Sequence, residues 1–233
     1  MIPLANGWVS EKAGHPPRAM NNNPVDIEGE MRQLADKYAA KLEARVEQRM
    51  KEMESDDRSH RLIYRVLGVA DEEGSLIDVY QNKGRFLYRY AGSFLEEAAK
   101  LCFRERYPGS ASVRMPNTLG QRPKTFEIDC LVEDRDAVEI KWRDATTDGD
   151  HITKEHTRMK NIKAAGYKPV RVMFYYPNRE QAQRIQNTLE DLYAGVGGEY
   201  YYGEGAWRYI QEYTGIDLKT ILERIADERT RSA

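Results

Sequence analysis

Two carboxylates and one amine in the middle of the chain have types and spacing that suit chemistry. Asp129 lies in TFEIDCLV; nine residues separate it from Glu139, and Lys141 follows two positions later in AVEIKW. In the first segment Phe126, Ile128, Cys130 and Val132 alternate with Glu127, Asp129 and Leu131, and in the second Val138, Ile140 and Trp142 alternate with Glu139 and Lys141. A two-residue repeat belongs to a β-strand. Glu133 to Asp136 reads as a polar turn, so the two segments are expected to form a hairpin. If the turn holds an odd number of residues, Asp129 and Glu139 project from one face of adjacent antiparallel strands, with Cβ atoms about 4.5–5.5 Å apart. Lys141 shares that face by the strand period.

Hydrolysis of a phosphodiester needs a nucleophilic water, charge stabilisation on the phosphoryl oxygens and help for the leaving oxygen. Magnesium serves these needs from a few carboxylates, with positions left for water and phosphate. Asp129 and Glu139 suit that role as ligands. Lys141 suits a group that orients or deprotonates the attacking water or steadies the developing negative charge. Two carboxylates and an amine make a costly core without compensation, whereas on an exposed face they would only form surface ion pairs. Spacing alone leaves both readings open. A second acid, spacer and lysine, Asp217, Leu218 and Lys219, reads as a helix cap and lacks an acidic strand upstream.

The elements that must hold these residues follow from periodicity. Apolar residues from Ile27 to Met53 recur at helical spacing and predict a long amphipathic helix over 26–54, an arm for packing or dimerisation. A second helical stretch runs from Ser59 to Leu67, Asp71 to Gly74 reads as an acidic turn, a short piece spans Ile77 to Tyr80, and a helix covers Arg85 to Tyr107. After the hairpin come a loop from Asp144 to Asp150, a helix from Ile152 to Ala165, a buried strand PVRVMFYY and a helix capped by Asn178 and running to Tyr193. Two further helices span Ala206–Tyr213 and Leu218–Glu228. This order predicts an α+β fold, a central mixed sheet with the hairpin in it and helices around it. With no linker of low complexity, residues 1–233 read as one domain.

Composition narrows the setting. No apolar run approaches a membrane span, the opening MIPLANGWVS lacks the pattern of a secretory signal, and Cys102 and Cys130 sit in apolar periodic stretches. These features fit a prokaryotic cytoplasm. The net charge of −2 is unlike that of a generic DNA binder. Its distribution is uneven: nine Lys or Arg face three Glu between Lys83 and Lys124, and nine acids face five bases from Glu190 onward. One anion-binding face and one solvated face would give that pattern.

The spacing of Asp129, Glu139, Ile140 and Lys141 resembles the PD-(D/E)XK nuclease superfamily, with Ile128 where a proline often stands. The runs GRFLYRYAGSFLEEA, EIKWRDATTDGDHITKEHTR and VMFYYPNREQAQRIQ resemble the ApaLI-like type II restriction endonucleases over about Lys83 to Asn187. The resemblance implies a restriction-endonuclease-like fold, Mg²⁺, double-stranded DNA with a short palindromic site, and a homodimer. It also implies a helix glutamate as a further catalytic metal ligand. Of Glu96 and Glu97, Glu96 is preferred because Gly92, Glu96 and Ala99 follow the helix pattern of related nucleases. For DNA contacts the candidates are Arg143 and Asp144 directly after the catalytic strand, and His156, Lys160 and Lys163, a basic ridge beside Ile152, Met159 and Ile162. A structure-specific repair or recombination nuclease and a non-catalytic nucleic-acid-binding module are the rival readings.

Overall fold

A computed structural model describes residues 26–120, 122–143 and 149–231. At its centre β2 (Thr125–Val132) and β3 (Asp136–Arg143) form the expected antiparallel hairpin. β1 (Ala111–Pro116) pairs antiparallel with β2, while β4 (Lys168–Tyr175) and β5 (Glu199–Tyr202) continue the sheet parallel to β3, in the order β1-β2-β3-β4-β5. The helices are α1 (Ile27–Glu54), α2 (Arg61–Val66), α3 (Asp71–Arg106), α4 (Gly149–Ala164), α5 (Glu180–Gly195), α6 (Glu204–Thr214) and α7 (Leu218–Arg231). This is the mixed α+β architecture read from the sequence, with its long N-terminal helix. Parallel neighbours require crossovers; α4 connects β3 to β4 and α5 connects β4 to β5.

α1 starts where Asp26 accepts a hydrogen bond from the Gly29 amide at 2.9 Å, with Glu28 and Glu30 in the first turn. Both features offset the unpaired amides and the positive end of the helix dipole. Its apolar stripe packs on α3, where Tyr38 meets Tyr90 and Phe94 edge-on at 6.4 and 6.0 Å.

The structure corrects several boundaries. Asp71 to Gly74 is the first turn of the 36-residue α3, which absorbs the separate pieces read at 77–80 and 85–107. The three acids suit a helix N-terminus. Gly74, which reads as a turn residue, is buried against α2, where a Cβ would lie 2.9 Å from the Tyr64 ring. The Asn178 cap shifts by one residue: Arg179 precedes α5 and caps it without a side-chain bond. β1 and β5 were missed because both are short and largely unburied, with patterns too brief to show a period.

The alternation in β2 is also corrected. Against β1, Ala111 pairs with Leu131 but Val113 pairs with Ile128, which leaves one extra residue on β2. Such a bulge exchanges the inward and outward sides of a strand. Phe126, Ile128 and Leu131 accordingly pack with Ile162 of α4, while Cys130 and Val132 pack with Leu95, Ala98 and Cys102 of α3. Asp129 lies at the exchange.

Candidate active site

The hairpin loop has three residues, 133–135, with Glu133 and Asp134 at positive φ. An odd loop sets the register Val132 to Asp136, Leu131 to Ala137 and Cys130 to Val138. Continued by one step, it puts Asp129 opposite Glu139. Asp136 anchors the start of β3 by accepting from Tyr213 at 2.5 Å and from Arg135 at 2.9 Å. At the bulge the Asp129 carboxylate accepts from the Ile140 amide at 2.8 Å, and Ser112 donates to the Asp129 carbonyl at 2.8 Å. Asp129 is thereby tied to both neighbouring strands.

Lys141 lies 3.6 Å from Asp129 and forms an ion pair with one oxygen of Glu139. Arg158 of α4 takes the other Glu139 oxygen and also donates to the carbonyl of Glu127. Behind it, Glu155 is 3.6 Å from Arg158 and 3.2 Å from Arg171 of β4, and accepts from Tyr193 of α5 at 2.6 Å. Three carboxylates and three cations thus line one sheet face, and Arg171 is only 1 % exposed.

Burial pushes the Asp129 carboxyl up to about 7, and the neighbouring Glu139 charge adds to the rise against Lys141. Burial and a neighbouring like charge both disfavour the ionised form of a carboxyl. Burial acts on Glu139 in the same direction, but Lys141 and Arg158 hold its carboxyl below the ordinary range. Burial opposes charge on Lys141, yet Glu139 and Asp129 keep its ammonium above the usual value. In this arrangement Lys141 is a cation.

The other candidates are dispersed. Glu96 pairs with buried Lys100 at 2.6 Å, as Glu97 does at 3.2 Å, and the Glu96 charge is felt at Asp129. Among the described residues no group of three or more Asp, Glu, His or Cys is gathered tightly enough to hold a metal. Arg143 is exposed at the end of β3, donating to the Tyr88 hydroxyl at 3.1 Å. Asp144 lies outside the described residues. His156 is half-buried, while Lys160 and Lys163 are exposed and line an open depression with Leu119 and the end of α5.

Sequence reasoning missed Arg158, Glu155, Arg171 and Tyr193. Two of them carried a signal: Glu155 interrupts the apolar stripe of Ile152, Met159 and Ile162, and Arg171 stands alone in PVRVMFYY. A charge at a buried position needs a partner, and here each is the other's.

A five-stranded mixed sheet flanked by helices, with a charged hairpin inside it, is a restriction-endonuclease-like α+β fold. The model of the ApaLI-like restriction endonucleases matches residues 17–227, nearly the whole chain, and the protein belongs to that family. Membership implies a DNA-binding nuclease. Comparison with curated proteins and with solved structures gave no match. No helix among the described residues is long and apolar enough to cross a membrane.

Proposed function

We propose that the protein is a Mg²⁺-dependent type II restriction endonuclease with a PD-(D/E)XK centre, cutting double-stranded DNA at a short palindromic site as a homodimer in a prokaryotic cytoplasm. The observation that carries this reading is the convergence of Asp129 of β2 with Glu139 and Lys141 of β3, with Lys141 in ion-pair range of both carboxylates, in a chain that belongs to a restriction endonuclease family.

The donor set fits magnesium. Asp129 and Glu139 are hard oxygen donors; burial, and after it the Glu139 charge, raises the Asp129 carboxyl against the nearby ammonium and guanidinium. These two would hold the ion, with Glu96 the third carboxylate assigned to it. When bound, magnesium supplies positive charge to the phosphoryl oxygens and acidifies a bound water. Lys141, held as an ammonium, donates to a phosphoryl oxygen, where negative charge grows during displacement. Arg158 fixes the Glu139 carboxylate from behind. Arg143, exposed at the end of β3, is assigned to DNA; so are His156, Lys160 and Lys163, the two lysines as phosphate contacts away from the hairpin.

The test is digestion of supercoiled plasmid by purified protein with Mg²⁺, followed by sequencing of the ends, with Lys141→Ala in parallel. Discrete fragments sharing one end sequence are expected from the wild type only. Random ends would remove site specificity, and equal cutting by the variant would remove the proposed centre.

A further inference from the structure

We infer that the N-terminal half of α3 is a self-association surface on which a second copy of this chain packs about a two-fold axis near Tyr80. α3 carries one apolar stripe, Ile77, Tyr80, Gly84, Leu87, Ala91 and Leu95, at three- and four-residue spacing. It continues into Ala98 and Cys102, which the sheet buries. Tyr88 marks the boundary, with its ring 5.3 Å from Trp142 at the end of β3. On the N-terminal side the stripe continues with no cover from the described residues: Leu76, Ile77, Tyr80, Leu87 and Tyr88 are 44–66 % exposed.

The helices that touch this half of α3 do so elsewhere. From α1, Arg49 bonds Asn82 and Arg45 lies over Phe86; from α2, Arg61 and Tyr64 bond Asp78. At 100° per residue, Asp78, Asn82 and Phe86 lie on the side of the helix away from Tyr80 and Leu87. α1, read from the sequence as an arm for packing or dimerisation, packs its apolar stripe inside the chain, and none of its large apolar side chains is among the strongly exposed ones.

The chemistry of the stripe selects its partner. Surfaces that meet DNA are polar and strongly positive, whereas this one is hydrocarbon with Glu72 and Glu73 at one end and Lys83 further along. Among the described residues, none of these three forms an ion pair within the chain. A two-fold axis perpendicular to α3 near Tyr80 crosses the two copies antiparallel, which brings Glu73 of each within about a turn of Lys83 of the other. The same crossing sets Leu76 over Gly84, where a Cβ would meet nothing within 4 Å. The five side chains expose on the order of 500 Å² of apolar surface, close to the apolar share of the roughly 800 Å² that each partner buries in a stable interface. The uncovered half of α3 leaves the sheet beside Trp142, one residue past Lys141, so two copies joined there would carry their hairpins on either side of one axis.

This inference rests on the homodimer of the proposed function, and sedimentation of the full-length protein over a concentration series, first free and then on a palindromic duplex in chelator, tests the two separately. The wild type is expected to be a dimer. Tyr80→Arg combined with Leu87→Glu should raise the dimer dissociation constant at least about 100-fold with unchanged helical circular dichroism, because each loses buried apolar area on both copies. Glu73→Lys and Lys83→Glu should each weaken association about tenfold, and together return it to within about threefold of the wild type. A wild-type dimer that none of these changes weakens overturns the surface and leaves the homodimer standing. A wild type that is monomeric both free and on a palindromic duplex overturns both.

Discussion

β3 and β4 present two different surfaces through alternate residues. Toward α3 and α6 they turn Val138, Ile140, Val170, Val172 and Phe174, all buried in one apolar cluster. Toward α4 and α5 they turn Glu139, Lys141 and Arg171, which join Arg158, Glu155 and Tyr193. One strand period thus serves two purposes. The hydrocarbon face gains stability from area removed from water, while the charged face gains none reliably, because desolvation takes back much of what its ion pairs return. A fold that keeps such a face has fixed its chemistry on strands held rigid from the other side.

If that division is right, changes on the two faces should separate activity from stability. The largest effect is expected from Lys141→Ala, which should lower cleavage at least about 10³-fold, since the cation nearest both carboxylates is lost. Lys141 is 33 % exposed and Glu139 keeps Arg158, so the thermal midpoint should hardly move. Single-turnover cleavage and a melting curve on the same preparation check both halves of the expectation. On the opposite face, Phe174→Ala should cost about 3–5 kcal/mol of stability. Its ring is buried and lies 4.3 Å from Trp207. Denaturant unfolding reads this loss, and the protein that remains folded should still cut. A Phe174→Ala variant that is stable yet inactive would break the division.

A smaller effect probes how the charged face is held together. Arg171→Met leaves Glu155 buried with only Tyr193 and the more distant Arg158. Breaking a buried pair from one side costs about 3 kcal/mol. Adding Glu155→Leu removes the stranded charge and should recover most of that loss in chemical denaturation. Failure of the second change to recover stability would mean that the pair is tied into the site beyond its own neutralisation.

The two faces were unequally legible in the sequence. The hairpin and its three charged residues were readable because a two-residue period and a short polar turn are local signals. The bulge at Asp129 was not, since it depends on how β1 pairs, and β1 itself carries no clear pattern. Arg158 was hidden because it lies on a helix remote in sequence and reaches Glu139 only through the packing of α4 on the sheet. The start of α3 was read as a turn because Gly74 suits one when the Tyr64 ring that occupies its place is out of view.

The smallest predicted effect, a change in DNA binding without metal, is the most specific to the site. Asp129→Asn retains an oxygen that can accept from the Ile140 amide, the bond that ties this side chain to β3, so the fold should persist. It removes one of two carboxylates that face each other across the hairpin, and with it a negative charge that DNA phosphates would meet. In the absence of metal and at about pH 8, where a carboxyl raised to about 7 is mostly ionised, that charge opposes binding, and its removal should tighten the complex by several-fold, the scale of one partly screened charge at close range. With Mg²⁺ the order should reverse: the wild type, whose carboxylate holds the cation, should gain affinity on metal addition and cut, while the variant should gain little and not cut. A gel-shift series at fixed salt, with chelator and then with Mg²⁺, measures both. If Asp129→Asn binds no tighter in chelator and responds to Mg²⁺ as the wild type does, Asp129 serves only to tie β2 to β3, and the charged face needs a different metal ligand.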